Sequence, residues 1–179
     1  MTGNCPEYIT FKSGRWWFSL SWSAAGISRL RFGLTAPDGS IEGLPSLSNT
    51  LFPVPGCTPP HFIIEAEKQL RAYFEGNPVT FSLPLDMSGA TPFQKAVWRA
   101  AMDIPFGEAS TYAAVAASAG YPGAARAAGN ALGANPIPVI VPCHRVLPAS
   151  GGIGGFSGGP ELKKALLAHE GFIFTGWKA

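Results

Sequence analysis

Two different spacings of apolar positions divide this chain. Near the N-terminus, "YITFK", "RWWFSLSW" and "GISRLRFG" are short aromatic and β-branched runs separated by Gly or Ser, the pattern of strands and tight turns. Residues 15–22 are almost uniformly bulky, so this strand is expected to pack on both faces. A stretch rich in Pro, Gly and Ser follows over 36–60 and predicts a long loop. Then the period changes. In "HFIIEAEKQLRAYFEGN", Phe62, Ala66, Leu70 and Phe74 recur at helical spacing, with Gly76 and Asn77 as a stop. Residues 79–92 read as an extended segment and then a linker. The expectation is a first domain of strands plus one helix over 1–88 and a second domain over 89–179.

The second half is helical and rich in alanine. "TPFQKAVWRAAMDI" opens with Thr91 as N-cap and Pro92 at the first helical position, where its missing N–H costs no intrahelical bond. Phe93, Val97 and Ala101 form one stripe, with Trp98 beside it. "STYAAVAASAG" predicts a second helix, capped by Ser110 or Thr111 and ended by Gly120. "AARAAGNALGAN" predicts a third. Two short helices joined by a Gly-containing turn fit the helix-turn-helix pattern. The third helix carries Ala124, Ala125, Ala127, Ala128, Gly129 and Ala131. A helix this thin either enters a narrow groove or packs closely on a neighbour, since alanine is also the best helix former. Ile137, Val139, Ile140 and Val141 read as a buried strand that stops at Pro142. "GPELKKALLAHEG" predicts a last helix, with Lys163 and Lys164 on a solvated face.

Composition narrows the class without naming a function. The 179 residues are enough for one or two domains with a real core. A formal net charge of +2 excludes a strongly basic tail and leaves room for a local basic face. There is no apolar run of membrane-spanning length, and "MTGNCPEYITFKSGRWWF" lacks the basic-then-apolar order of a secretory signal, so a cytoplasmic location is expected. Cys5, Cys57 and Cys143 are too few, and odd in number, for a disulfide framework. Cys57 and His61 sit four apart in "CTPPH", but no CxxC pair occurs and the prolines make that loop irregular; no metal is assigned.

The chemistry gathers at "PCHRV". A thiol with an ordinary pKa is only a few per cent ionised at neutral pH, and an adjacent imidazole can take its proton. Such a base needs a third group to orient it, usually a carboxylate. The last helix offers Glu161 and Glu170; Glu170, at its C-terminal end, sits where the helix dipole disfavours an anion, so its placement points to a purpose such as partnering His144. Adjacent residues of a strand face opposite ways, so Cys143 and His144 can cooperate only if the chain turns there; Pro142 allows it. A buried structural cysteine is the plainer alternative.

Taken in order, "TPFQKAVWRAAMDIPFGEASTY", "ARAAGNALGANPIPVIVPCHRV", "SGGIGGFSGG" and "LLAHEG" resemble the O6-alkylguanine-DNA alkyltransferases, over residues 91–174. The first half resembles that family only in layout. The resemblance implies an α+β, two-domain protein: an N-terminal ribonuclease H-like sheet-plus-helix domain, then a C-terminal winged helix-turn-helix domain. It implies direct-reversal DNA repair, in which Cys143 takes the alkyl group from O6 of guanine, and from O4 of thymine, once per molecule. It implies double-stranded DNA as partner, a monomer that can assemble cooperatively on DNA, and no cofactor. It implies that His144 acts through water, that Glu170 orients it, and that Asn135 ties the recognition helix to the active-site strand. Arg126 matches the arginine that fills the gap left by an extruded base. Tyr112 matches the tyrosine that rotates the phosphate and hydrogen-bonds the guanine. Phe156 stands where many members have tyrosine and keeps the stacking surface. Ser157 matches a residue whose backbone or hydroxyl contacts O6, and Gly158 belongs to the glycines that let this loop close on a flat base. The resemblance implies that Ala125, Ala127 and Gly129 belong to a helix face that enters a minor groove about 6 Å wide.

Pro148 and Ala149 depart from the usual pattern and bear on the size of the lesion pocket. Three rivals have distinct expectations. An alkyltransferase-like binder carries tryptophan in place of Cys143. A helix-turn-helix regulator needs several base-reading side chains, whereas the third helix offers Arg126 and Asn130. A cysteine hydrolase would turn over.

Overall fold

The computed structural model describes residues 8–35, 41–42 (backbone only) and 58–173. The chain divides into two compact units, Met1–Asp86 and Met87–Ala179. Cys5, Cys57 and most of the predicted 36–60 loop lie outside the described residues. Within that loop a short strand pairs with its predecessor, so the segment is not loop throughout.

The first unit is an antiparallel sheet with one helix. Strands β1 (Tyr8–Ser13), β2 (Trp16–Ser23), β3 (Gly26–Thr35) and β4 (Ile41–Glu42) lie in that order. Alternation selects the inner face: Trp16, Phe18 and Leu20 are buried, while Trp17, Ser19 and Ser21 are half-buried. The expectation that β2 packs on both faces is corrected accordingly. Helix α1 (His61–Phe74) lays Phe74 against Trp16 and Phe18, with ring centroids 4.7 and 4.4 Å apart. Its buried stripe is Ile63, Ala66, Leu70, Tyr73 and Phe74, and Phe62 is only half-buried. Gly26 is forced. Its φ is +138°, and a Cβ there would stand 2.4 Å from the Pro84 carbonyl oxygen. That close approach lets Ile27 N–H donate to Pro84 O at 2.8 Å, joining the extended segment to the sheet.

The second unit is mainly helical, so the chain is α+β. Helix α2 (Pro92–Met102) starts with a full capping box: Thr91 Oγ1 accepts from Gln94 N–H, and Gln94 Oε1 accepts from Thr91 N–H. The two side chains satisfy helix-end donors reciprocally. Val97, Trp98, Ala100 and Ala101 are its buried face. Helix α3 (Tyr112–Ser118) is capped by Thr111, whose hydroxyl accepts from Ala114 N–H. Helix α4 (Ala125–Gly133) buries Ala128, Ala131 and Leu132. Trp98 Nε1 donates to Ala131 O at 2.8 Å, locking α2 to α4. A parallel pair, β5 (Ser110–Thr111) with β6 (Val146–Leu147), fixes the entrance of α3 beside the segment that follows Cys143. Helix α5 (Pro160–His169) closes the unit.

The apolar run before Pro142 is not a strand. Pro138 and Val141 form only an isolated bridge, and the buried Val139 has φ 73°. A β-branched residue there carries strain of about 1–3 kcal/mol, so packing must hold the turn. The Asn135 side chain supplies hydrogen bonds that a ladder would have supplied.

Candidate active site

Cys143 opens a single 3-10 turn, Cys143–Arg145, so adjacent side chains need not point to opposite faces. Asn135, at the end of α4, shapes the approach to it. Its Oδ1 accepts from Ile137 N–H at 2.9 Å, and its Nδ2 donates to Val141 O at 2.9 Å and to Cys143 Sγ at 3.2 Å. One amide thus ties the segment that follows α4, the strained turn and the thiol together. Burial pushes the thiol pKa up; the Asn135 hydrogen bond, the Lys163 charge and the local backbone amides pull against it. At rest the sulfur keeps its proton.

Behind Cys143 lies a buried chain of charge. His144 Nε2 is 2.7 Å from Glu170 Oε1. Arg145 Nε donates to Glu170 Oε2 at 2.9 Å, its Nη2 donates to Oε1 at 2.9 Å, and its Nη1 donates to Ile104 O at 2.7 Å. Gly107 N–H donates to Oε2 at 3.1 Å. Burial alone would raise the Glu170 pKa, but His144 and Arg145 outweigh it and hold the carboxyl at about 2. For His144 the balance goes the other way. Burial lowers its pKa, only partly opposed by Glu170, so the imidazole is neutral at physiological pH and able to accept a proton.

In front of Cys143 is a cavity of about 550 Å³. Ala125, Arg126 and Gly129 of α4 form one wall, and Phe156 and Ser157 form another. Tyr112 closes the side, its pKa raised by burial and then by Cys143, so its hydroxyl stays a donor. Pro148 and Gly154 narrow the cavity: a Cβ on Gly154 would lie 2.9 Å from Pro148 Cδ and 3.0 Å from the Tyr112 hydroxyl. Ala127 and Gly158 are exposed and do not line it.

The structure therefore gathers most of the residues the sequence singled out. It corrects one. Lys164 is exposed and pairs with Glu161 at 2.9 Å, but Lys163 is fully buried, not on a solvated face. A signal for this existed: Leu162, Lys163, Leu166 and Leu167 make one helical stripe, and Lys163 falls inside it. Gly107, which only supplies a backbone donor, left no such signal.

Comparison with known proteins places this arrangement. Residues 92–172 match the family model described as 6-O-methylguanine DNA methyltransferase, DNA binding domain. A methylated-DNA–protein-cysteine methyltransferase of Mycolicibacterium paratuberculosis is 49% identical over 111 residues, 62% of this chain and 67% of the relative. The Salmonella typhimurium protein of the same name is 47% identical over 105 residues, which span 59% of this chain and 61% of that protein. Among solved structures, Mycobacterium tuberculosis OGT in complex with DNA aligns with TM-score 0.70 at 38% identity, covering 91% of each chain. The O6-methylguanine-DNA methyltransferase of Pyrococcus kodakaraensis aligns with TM-score 0.65 at 26% identity, covering 92% of this chain and 98% of that one. By the matched residues, the identity with these relatives and the shared fold, the chain belongs to the 6-O-methylguanine-DNA methyltransferase family.

Proposed function

We infer that this protein repairs alkylated DNA by direct reversal, moving a methyl or larger alkyl group from O6 of guanine, and from O4 of thymine, onto Cys143. One observation carries this reading: the thiol stands at the cavity wall while the next residue, His144, is buried and paired with Glu170 at 2.7 Å.

Glu170 holds the Nε2 proton of His144, so the ring lone pair sits on Nδ1 and takes the thiol proton through a water. The thiolate attacks the alkyl carbon in line. The S–C bond forms as the C–O6 bond breaks, and the bonding pair leaves on guanine. Tyr112 hydrogen-bonds the guanine as that charge develops, and the base regains the proton equivalent that the thiol lost. The products are S-alkylcysteine and guanine. A thioether is not hydrolysed, so each molecule acts once. Asn135 acts as a positioning residue through the turn that presents Cys143.

Reaching O6 requires the base to leave the stack. Arg126, exposed on α4, fills the gap, and the small residues Ala125, Ala127 and Gly129 let α4 enter the minor groove. Phe156 stacks on the extruded base, Ser157 contacts O6, and Gly158 keeps the loop slim. The expected domain over 89–179 is then a winged helix-turn-helix, and the one over 1–88 is ribonuclease H-like. The protein works as a cytoplasmic monomer that can line up along duplex DNA.

The test is intact mass after mixing with a short duplex containing one O6-methylguanine, followed by peptide mapping. The expected result is one added methyl on Cys143, saturating at one per molecule. No added mass with retained binding would make the protein a lesion binder; continued turnover would make it a hydrolase.

A further inference from the structure

Helix α4 carries two polar side chains, Arg126 and Asn130, and the steps above use only the first. The helical turn, about 100° per residue, shows where the second points. Ala128 and Ala131 face the core of the helical unit, and Ala125, Gly129 and Leu132 turn toward the cavity. The third side is exposed and consists of Arg126, Ala127, Asn130 and Gly133. Asn130 stands at its crest. Arg126 lies one turn earlier, rotated by about 40° toward the cavity. Around Asn130 on this side, Ala127 and Gly133 carry at most a methyl group, so the amide projects beyond its neighbours. Among the described residues that amide has no protein partner. Asparagine is also a weaker helix former than the alanines around it, so local structure does not account for its presence.

We propose that Asn130 is a specificity-determining residue of the repair reaction: its amide hydrogen-bonds the minor-groove edge of the base pair beside the lesion and favours a G·C pair there. This rests on the reading above, in which α4 enters the minor groove and Arg126 fills the gap left by the extruded base. Four residues of helix carry Asn130 about 6 Å beyond Arg126 along the axis. That is between one and two base-pair steps of about 3.4 Å, so the amide reaches a neighbouring pair and not the lesion. Every pair offers an acceptor on this edge, purine N3 or pyrimidine O2, to which Nδ2 donates. A G·C pair adds the guanine 2-amino group, from which Oδ1 accepts. A·T therefore satisfies half of the amide and G·C satisfies both halves. No flanking pair is refused, which suits lesions that arise in any sequence, but one is preferred.

The test removes one group from each partner. Methyl transfer to the full chain is timed in a single turnover on two duplexes that differ only beside the O6-methylguanine. One has guanine there and the other hypoxanthine, which is guanine without its 2-amino group, each opposite cytosine and placed on either side of the lesion in turn. The natural protein should favour guanine by about fivefold on one side, the weight of one hydrogen bond. Asn130→Ala, and Asn130→Leu with nearly the same bulk, should lose that preference. Hypoxanthine also weakens the pair itself, but it does so for every variant, so the difference between variants isolates the contact. A preference that survives in both variants, or one that the natural protein lacks, overturns the proposal. So does an equal loss on duplex and on free O6-methylguanine base, because Asn130 would then act through the fold. Ala127→Leu reads the groove separately: if it slows duplex repair while Asn130→Ala keeps the natural preference, α4 enters the groove and this proposal alone fails. Absence of methyl transfer by the natural protein would instead defeat the alkyl-transfer reading, and the affinities of natural protein and Asn130→Ala for the same two duplexes would still report the contact.

Discussion

Glu170 shows how one side chain can be both expensive and necessary. It is buried, and at a helix C-terminus the dipole adds to the cost of its charge. Donors from His144, Arg145 and Gly107 converge on its two oxygens and more than repay that cost. Removing the charge leaves Arg145 buried without its counter-ion. Glu170→Gln should therefore lower stability at pH 7 by about 3–5 kcal/mol. The pH dependence has a definite sign. The folded-state pKa is depressed from 4.5 to about 2, so the carboxylate's contribution is complete above 4.5 and is lost as pH falls through about 2. The gap between the natural protein and Glu170→Gln, measured by urea unfolding, should narrow steadily below pH 4.5. A gap of constant size down to pH 2 would mean that the pairing contributes nothing through ionisation. Glu170 was readable in the sequence because its position violates a local rule. Lys163 obeyed its helical period, but charge alone placed it in solvent.

Helices whose ends obey local chemistry were legible; the segment presenting the nucleophile was not. The Thr91–Gln94 box and the Thr111 cap announce α2 and α3 in residues adjacent along the chain. The run from Ile137 to Val141 looks like a strand because its apolar residues are what a buried strand needs. Its hydrogen bonds instead run to the Asn135 side chain, a choice that apolar spacing does not encode. The same ambiguity touched α4, whose alanines fit either a groove or a neighbour. The structure shows the neighbour on one face and leaves the other open for the proposed groove. Ala128 and Ala131 are buried against the helical unit, whereas Arg126 and Ala127 are exposed. This split makes a prediction for the whole helix. Ala127→Leu adds bulk only to the exposed face, so it should leave reaction with free O6-methylguanine base unchanged. It should slow duplex repair, on the order of tenfold, because the minor groove leaves little width. Equal rates on both substrates would remove α4 from the groove.

At the scale of the molecule, charge decides how the protein meets DNA. The net charge of +2 is small for a nucleic-acid binder, and the second unit places two of its cations, Lys163 and Arg145, in the interior. Among the described residues of that unit, Lys95, Arg99 and Arg126 remain for phosphates, since Lys164 already pairs with Glu161. Lys178, beyond the described residues, adds one more at most. Each neutralised phosphate contributes about −0.9 to the slope of log affinity against log salt. If the second unit alone touches the duplex, the slope should be no steeper than about −4. The first unit exposes Arg29 and Arg31 on β3, side chains that its sheet core does not use. A titration of duplex binding from low to moderate salt therefore reports more than affinity. A shallow slope fits a protein that recognises an extruded base by the cavity beside Cys143 and holds the backbone lightly, as a lesion that can occur anywhere requires. A slope of −6 or steeper would bring the first unit's arginines onto the phosphates and make DNA binding a property of both units.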